Sequence, residues 1–382
     1  MIYLDNSATS YPKPRAVITA VSQALGRYGA NPGRSGHRMS INTAQMIYRS
    51  RQTIARFFHM EKPENVIFTP SCTYSLNMVI KGVLKRGDHV IISSLEHNAV
   101  VRPLQKLKNK GYLTYSVAKV YEKDNDRTIQ SFRECINEKT RLIIATQASN
   151  VFGVRLPIER LCALAHHYQI LFCVDAAQGG GVLKLDCKED PYDFVCCAGH
   201  KGLMGLMGTG LLLINNEALF DTLIEGGTGS ESQNLMMPSY YPDLLEAGTG
   251  NIPGIAALSA SIGFIRKIGR ENIFQKELRH IMKVYSKFSE MKNVTLYTGY
   301  PDQSFAPVLS FSVNGTDSES VSRYLDEHFG IATRSGLHCA PLAHSSYQTT
   351  EFGTVRVSPS YFTTDNEIDT FINAVYKFSK SA

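Results

Sequence analysis

No block of like charge, no Cys-x-x-Cys pair and no apolar run long enough to cross a bilayer occurs in the 382 residues of this chain. The formal net charge of +6 is spread thinly, and its one local concentration, Lys106, Lys108 and Lys110, reads as the solvated face of a helix. Charge therefore points to neither a nucleic-acid nor a membrane partner. The longest uncharged apolar segment, 202–216, is glycine-rich and too short for a membrane span. The first residues enter a strand directly, with no basic and apolar leader, so secretion is not expected. Eight cysteines, at 72, 135, 162, 173, 187, 196, 197 and 339, are too sparse for a disulfide scaffold. A reducing cytoplasm fits them best. Most lie in apolar runs, where a cysteine acts as a small hydrophobe; Cys339, among polar neighbours, is the exception. Gly208-Thr209-Gly210 and the glycines at 226–229 match neither a dinucleotide fingerprint nor a P-loop, and His166-His167 lacks the spacing of zinc ligands, so no metal site is expected. There is no internal repeat and no low-complexity tract.

What is present is a regular alternation of strand and helix patterns. The length exceeds what one hydrophobic core usually supports, so one large and one smaller domain are expected. Helices are predicted over 14–27 and from a cap at Ser40 through Phe58, with strands at 66–69, 89–93, 113–117, 142–146 and 170–174 separated by helical patterns such as 129–138 and 157–168. Such alternation predicts an α/β fold, a largely parallel sheet wrapped by helices, with ligands gathered beyond the carboxyl ends of the strands. The passage 226–251 reads as loop. Helices at 255–268 and 271–291 then lead into a smaller α+β unit, with strands at 294–297, 308–313, 331–334 and 354–358 and helices at 318–329 and 365–378. The expected division is 1–30 as an amino-terminal segment joining the small domain, 31–254 as the large domain and 255–382 as the small one.

The chemistry centres on Lys201. The stretch 192–202 delivers this lysine from an apolar strand into a glycine-bracketed turn, and desolvation there lowers an amine's pKa and frees it to form a Schiff base with an aldehyde. A neighbouring apolar strand, 169–175, ends in the carboxylate of Asp175. An amine that holds an aldehyde and a carboxylate that keeps a pyridine nitrogen protonated are what pyridoxal phosphate requires. The strand, polar turn and helix start at 66–83 suit a phosphate, since exposed N–H groups meet the positive end of a helix dipole; a plain cap by Ser71 or Thr73 explains the same residues. His97 follows a strand end, where it either covers a ring or is simply solvated.

Taken together, Tyr3 to Thr9, Glu96-His97-Asn98, Ser149 to Gly153, Asp175 to Gln178, Gly199-His200-Lys201, Glu246 to Thr249 and Arg334 to Cys339 occur in an order that resembles class V aminotransferases. Within that branch of the fold type I pyridoxal phosphate enzymes the chain is similar to cysteine desulfurases and selenocysteine lyases. The resemblance implies pyridoxal 5'-phosphate as cofactor, with His97 stacked on its ring, Asp175 on its nitrogen, and Gln178 and Asn150 at its ring oxygen. It implies a phosphate site formed by Cys72, Thr73, His200 and Thr249, the last supplied across a homodimer interface. Cys72 and Ala198 replace hydroxyl residues common in the family. The loop from Arg334 resembles the Arg-x-Gly-x-x-Cys pattern of group II desulfurases, which implies Cys339 as the nucleophile and Arg356 as the clamp on the substrate carboxylate, with Asn150, Arg334, Arg34 and His37 near the same mouth. The expected reaction converts L-cysteine to L-alanine and leaves a persulfide on Cys339 for a sulfur-acceptor protein. The stretch 226–246 is shorter than in Suf-type relatives, so their acceptor does not carry over. Selenocysteine lyase, with L-selenocysteine as substrate, uses the same residues and stays open. So do a class V aminotransferase without sulfur chemistry and a binding module that keeps only the fold.

Overall fold

Period-two burial along the central strands organises the molecule. In the computed structural model, which describes residues 1–33, 36–216 and 220–381, Val66, Ile91, Ile143, Phe172, Val195 and Leu213 enter one core, while Ile67, Ile92, Ile144, Cys173, Cys196 and Leu212 enter another on the opposite face. A sheet buried on both faces needs apolar side chains in both directions, which is why these strands read as continuous hydrophobic runs.

In chain order the elements are β1 (Ile2–Tyr3), α1 (Arg15–Arg27), α2 (Arg38–Phe58), β2 (Val66–Thr69), α3 (Cys72–Val83), β3 (His89–Ser93), α4 (Asn98–Asn109), β4 (Thr114–Ala118) and α5 (Asn125–Glu134). They continue with β5 (Thr140–Thr146), α6 (Ile158–His167), β6 (Leu171–Asp175), β7 (Phe194–Ala198) and β8 (Gly210–Ile214). The remainder comprises α7 (Ile252–Ile268), α8 (Arg270–Phe288), β9 (Val294–Leu296), β10 (Leu309–Val313), α9 (Ser318–Phe329), β11 (Ile331–Ala332), α10 (Pro341–Ser346), β12 (Val355–Val357) and α11 (Asp365–Ser381). The large sheet has the order β2-β8-β7-β6-β5-β3-β4. It is parallel except for β8, which runs antiparallel to both β2 and β7. This is the α/β architecture expected from the alternation. Strand β8 lies inside the glycine-rich segment 202–216, where the glycines masked its strand pattern.

A third core gathers Leu4, Ile281, Phe288, Phe311, Val357 and Phe371. It surrounds the antiparallel sheet β12-β10-β9 and the parallel pair β1-β11. Single bridges between Asp5 and Ser358 and between Arg334 and Arg356 join these two small sheets. Gly153 brings the large sheet's β5 exit against this region: at φ 71° a β-carbon there would meet Val308 O at 2.6 Å and Ala306 O at 2.9 Å.

Two local expectations change. His37, not Ser40, caps α2, because its ring nitrogen accepts from Ser40 N at 3.2 Å; the Ser40 hydroxyl instead donates to Asn31 O. Helix α10 opens on Pro341, whose fixed φ suits a first helical turn, within a segment too short and polar to show a period. Among the described residues no single helix is long and apolar enough to cross a membrane.

One buried ion pair fixes the turn that leads to Thr249. Both oxygens of Glu246 accept from the Arg51 guanidinium, at 2.7 and 2.8 Å, and Oε1 also accepts from Phe68 N. Arg51 is buried and lies over the Phe68 ring. Removing the carboxylate strands a guanidinium in the interior, so Glu246→Ala is expected to destabilise the protein by about 3–5 kcal/mol, seen as a lower urea midpoint.

Candidate active site

Six parallel strands of the large sheet point their carboxyl ends the same way, and the polar residues collect there. His97 follows β3, Asn150 follows β5, Asp175 ends β6 and Lys201 follows β7. With Ser71, Cys72, Thr73, Gln178, Ala198 and His200 they line one cavity of about 80 Å³. Thr73, His97 and Ala99 also line a wider mouth of about 370 Å³, and Cys339 stands at its edge.

Burial sets the protonation of the cavity. The Lys201 amine is pulled below the usual lysine range by desolvation and by the Arg356 charge, while Asp175 opposes the shift. Asp175 is raised by burial and held down by the N–H of Ala177 at 2.9 Å, by Lys201 and by the Cys72 thiol, 3.5 Å from Oδ1. Burial, followed by the Asp175 charge, pushes the Cys72 thiol well up, so it acts as a neutral donor. Its sulfur faces the Asp175 carboxylate instead of serving a phosphate alone. Glu96, fully buried, is pushed up to about 8 by burial and by Asp175; it accepts from Ser93 and from Thr146 N and so ties the ends of β3 and β5 together.

His97 caps α4, its Nδ1 accepting from Ala99 N at 3.0 Å, so the proton of the neutral ring sits on Nε2. Burial, then Lys201 and the two arginines Arg334 and Arg356, lowers it to about 4. His200 is likewise lowered to about 4 by burial and by Lys201, and its Nδ1 is buried without a partner. The carbonyl of His200 accepts from Ser10 N, Ser10 Oγ, Thr9 Oγ1 and Lys13 Nζ at 2.9–3.2 Å. That cluster fixes the backbone from which Lys201 projects.

The remaining candidates are placed as follows. Asn150 donates through Nδ2 to His338 O at 2.8 Å, and Gln178 donates to Ser7 O at 3.1 Å. Arg356 is buried; its two terminal nitrogens donate to Asp5 Oδ1 at 2.7 Å and to Asn150 O at 2.9 Å, and its Nε has no partner. The fork expected to face substrate is thus already engaged by Asp5. Arg334 pairs with Arg356 through the backbone. Thr249 lies outside the cavity, accepting from Asn31 Nδ2 at 3.2 Å in a separate cleft of about 530 Å³. His37, whose Nδ1 caps α2, lines neither the cavity nor its mouth. Arg34 lies outside the described residues. Ser71, which caps α3 by accepting from Tyr74 N, supplies the plain cap that was one of the two readings of this turn. Asp5 was not foreseen as a partner of Arg356, although it sits in the first motif.

A mutually perturbed amine and carboxylate at the strand ends of such a sheet have the chemistry that suits an aldehyde cofactor. The chain belongs to the aminotransferase class-V family, whose model matches residues 2–371. It is 31% identical over 376 residues to a probable cysteine desulfurase of Methanothermobacter thermautotrophicus, covering 96% of this chain and 92% of that protein. It is 33% identical over 392 residues to a probable cysteine desulfurase of Pyrococcus abyssi, covering 100% and 95%. The apo structure of cysteine desulfurase from Thermococcus onnurineus superposes with a TM-score of 0.92 at 31% identity, covering 100% of this chain and 95% of that one.

The two lowered imidazoles make acid stability testable. Unfolded, each ring binds a proton near pH 6.5; folded, His97 and His200 do so only near 4. Between these values the unfolded chain holds more protons, so stability falls as pH drops from 6.5 towards 4. The melting temperature of the cofactor-free protein should decline across that window, and His97→Gln, which keeps an acceptor for Ala99 N, should make the decline shallower.

Proposed function

We propose that the protein is a pyridoxal phosphate-dependent cysteine desulfurase that turns L-cysteine into L-alanine and carries the sulfur as a persulfide on Cys339. The observation that carries this reading is the opening of the Lys201–Asp175 cavity onto the mouth where Cys339 stands exposed, whereas the other seven cysteines are buried or half-buried.

The residues present suit the cofactor. Asp175 provides a buried carboxylate for a ring nitrogen, His97 a flat neutral imidazole for the ring face, Gln178 and Asn150 amides for its oxygen, and Lys201 an amine for its aldehyde. Thr73 and the N–H groups of the first turn of α3 would receive the phosphate together with His200, whose partnerless Nδ1 is the kind of buried atom an added group would satisfy. Bound there, pyridoxal phosphate supplies an electron sink for charge that develops on the carbon bearing the substrate amine.

The chain's own groups do the rest. Arg356 and Arg334 place two positive charges near the cavity, as their effect on Lys201 shows, and draw in the substrate carboxylate; Arg356 then exchanges part of its contact with Asp5. The lowered pKa of Lys201 lets its amine take the proton from the substrate's Cα. The Cys339 thiolate attacks the substrate sulfur, the carbon–sulfur bond breaks, and its electron pair stays on the substrate β-carbon, which takes up a proton. Alanine leaves and the sulfur remains on Cys339 until a thiol-bearing acceptor removes it.

Thr249 and the 31–33 turn share a cleft away from the cavity, which suits a homodimer in which each copy completes the other's phosphate site. Residues 31–254 and 255–382, with 1–30 joined to the latter, would be its two domains, and eight free cysteines suit a reducing cytoplasm. Cys339→Ala should abolish alanine formation from L-cysteine in the absence of added thiols, and mass spectrometry after turnover should find one extra sulfur on Cys339 of the unaltered protein. Lys201→Ala should lose turnover by at least about a thousand-fold.

A further inference from the structure

Cys339 reaches the mouth on two successive residues in left-handed backbone, His338 at φ 50° and Cys339 at φ 56°. Side chains bearing a β-carbon disfavour this conformation, and two such residues in a row persist only where the surroundings over-determine them. From above, Asn150 Nδ2 holds His338 O at 2.8 Å and Asn98 N holds Cys339 O at 2.7 Å. From below, a chain of side chains runs into the interior.

The direction of that chain follows from its end. His338 Nε2 lies 3.2 Å from Arg334 O, and a carbonyl only accepts, so Nε2 carries the hydrogen and Nδ1 of the neutral ring is an acceptor. His344 Nε2, 3.3 Å from that Nδ1, must therefore donate. His344 Nδ1 is then the acceptor, and the Thr349 hydroxyl, 2.7 Å away, donates to it. His338, His344 and Thr349 are all buried. The terminal acceptor, Arg334 O, also receives Arg356 N at 2.8 Å, so the chain joins the thiol's loop to strand β12. None of these three side chains lines the cavity or its mouth, and the reaction above uses none of them.

We propose that Thr349 and His344 are positioning residues that act through His338 to set the reach of the Cys339 thiol. The proposal rests on the reading that this thiol takes the substrate's sulfur. Without the hydroxyl, His344 Nδ1 is a buried acceptor that has lost its donor, and only the contact with His338 Nδ1 still holds the His344 tautomer; in the alternative tautomer two acceptor nitrogens face each other across 3.3 Å, and the His338 ring and the residue next to it must shift.

The test uses the holoenzyme and compares Thr349→Val, which removes the donor at nearly constant shape, with Thr349→Ser, which keeps it. Two rates are measured: persulfide formation on Cys339 from L-cysteine, and exchange of the Cα hydrogen of L-alanine in deuterated water, which needs Lys201 but not the thiol. Thr349→Val should slow persulfide formation about ten-fold, leave Cα exchange within about two-fold and raise KM for cysteine little, and Thr349→Ser should restore the rate. His344→Phe, which deletes both ring nitrogens, is measured in the same way and should match Thr349→Val, including where the latter does not fold. Persulfide formation at the unaltered rate in these variants overturns the proposal, as does a parallel fall in both rates, which marks a merely structural role. If instead Cys339→Ala keeps full alanine formation, the desulfurase reading fails. Iodoacetamide labelling of Cys339, mapped by mass spectrometry, still reports whether Thr349→Val moves the thiol, and an unchanged labelling rate would overturn the positioning role on its own.

Discussion

The guanidinium of Arg356 is the point on which the rest of the site depends. A buried cation is costly unless it is paired, and this one draws its partners from parts of the chain that are otherwise far apart. Asp5 comes from the amino terminus and the carbonyl of Asn150 from the exit of β5, while the backbone of β12 pairs with Arg334. Satisfying one charge therefore fixes the amino-terminal segment, the large sheet and the thiol's loop relative to one another. The same charge lowers the proton affinity of Lys201, His97 and His338, so the anchor of the geometry also helps to keep the nearby bases unprotonated.

The negative side of the balance is arranged by desolvation. Two carboxyl groups, Glu96 and Asp175, are fully buried; burial and the Asp175 charge push Glu96 up to about 8, so it is predominantly neutral at pH 7. Glu96 then serves as a hydrogen-bonded brace between strand ends, and Asp175 is left as the carboxylate that answers Lys201. Cys72 completes the arrangement. Its raised thiol remains protonated and donates to Asp175.

Much of this was legible in the sequence because it is local. The apolar runs of the central strands come from double-sided burial, and residues placed just past strand ends, such as His97, Asn150, Asp175 and Lys201, must converge once the strands are parallel. What was not legible is non-local or irregular. Asp5 and Arg356 are separated by 351 positions, and no period links them. The His338–His344–Thr349 chain lies in a turn and a short helix whose spacing follows no repeat. His37 was expected at the mouth from its glycine-rich setting, and the helix cap its ring nitrogen makes depends on geometry that composition does not reveal. Strand β8 was hidden by the glycines that let it pass closely by its neighbours: at Gly210 a β-carbon would lie 2.5 Å from the carbonyl carbon of Ser71.

The role proposed for the Cys339 thiol sets two opposed requirements on its position. A nucleophile that attacks substrate sulfur must reach the cavity, whereas a sulfur that leaves on another molecule must be reachable from solvent. A cysteine in the cavity wall would meet the first and fail the second; Cys72, buried beside Asp175 with its thiol pushed well up, shows what such a residue becomes. Placing Cys339 at the rim of the mouth meets both, but a rim residue on a flexible loop would lose the alignment that makes attack fast. Left-handed backbone held from above by Asn98 and Asn150 and from below by His338 resolves this, because a strained turn pinned at several points has one conformation instead of many. The rigidity of the loop and the exposure of its sulfur are therefore two consequences of the same set of hydrogen bonds.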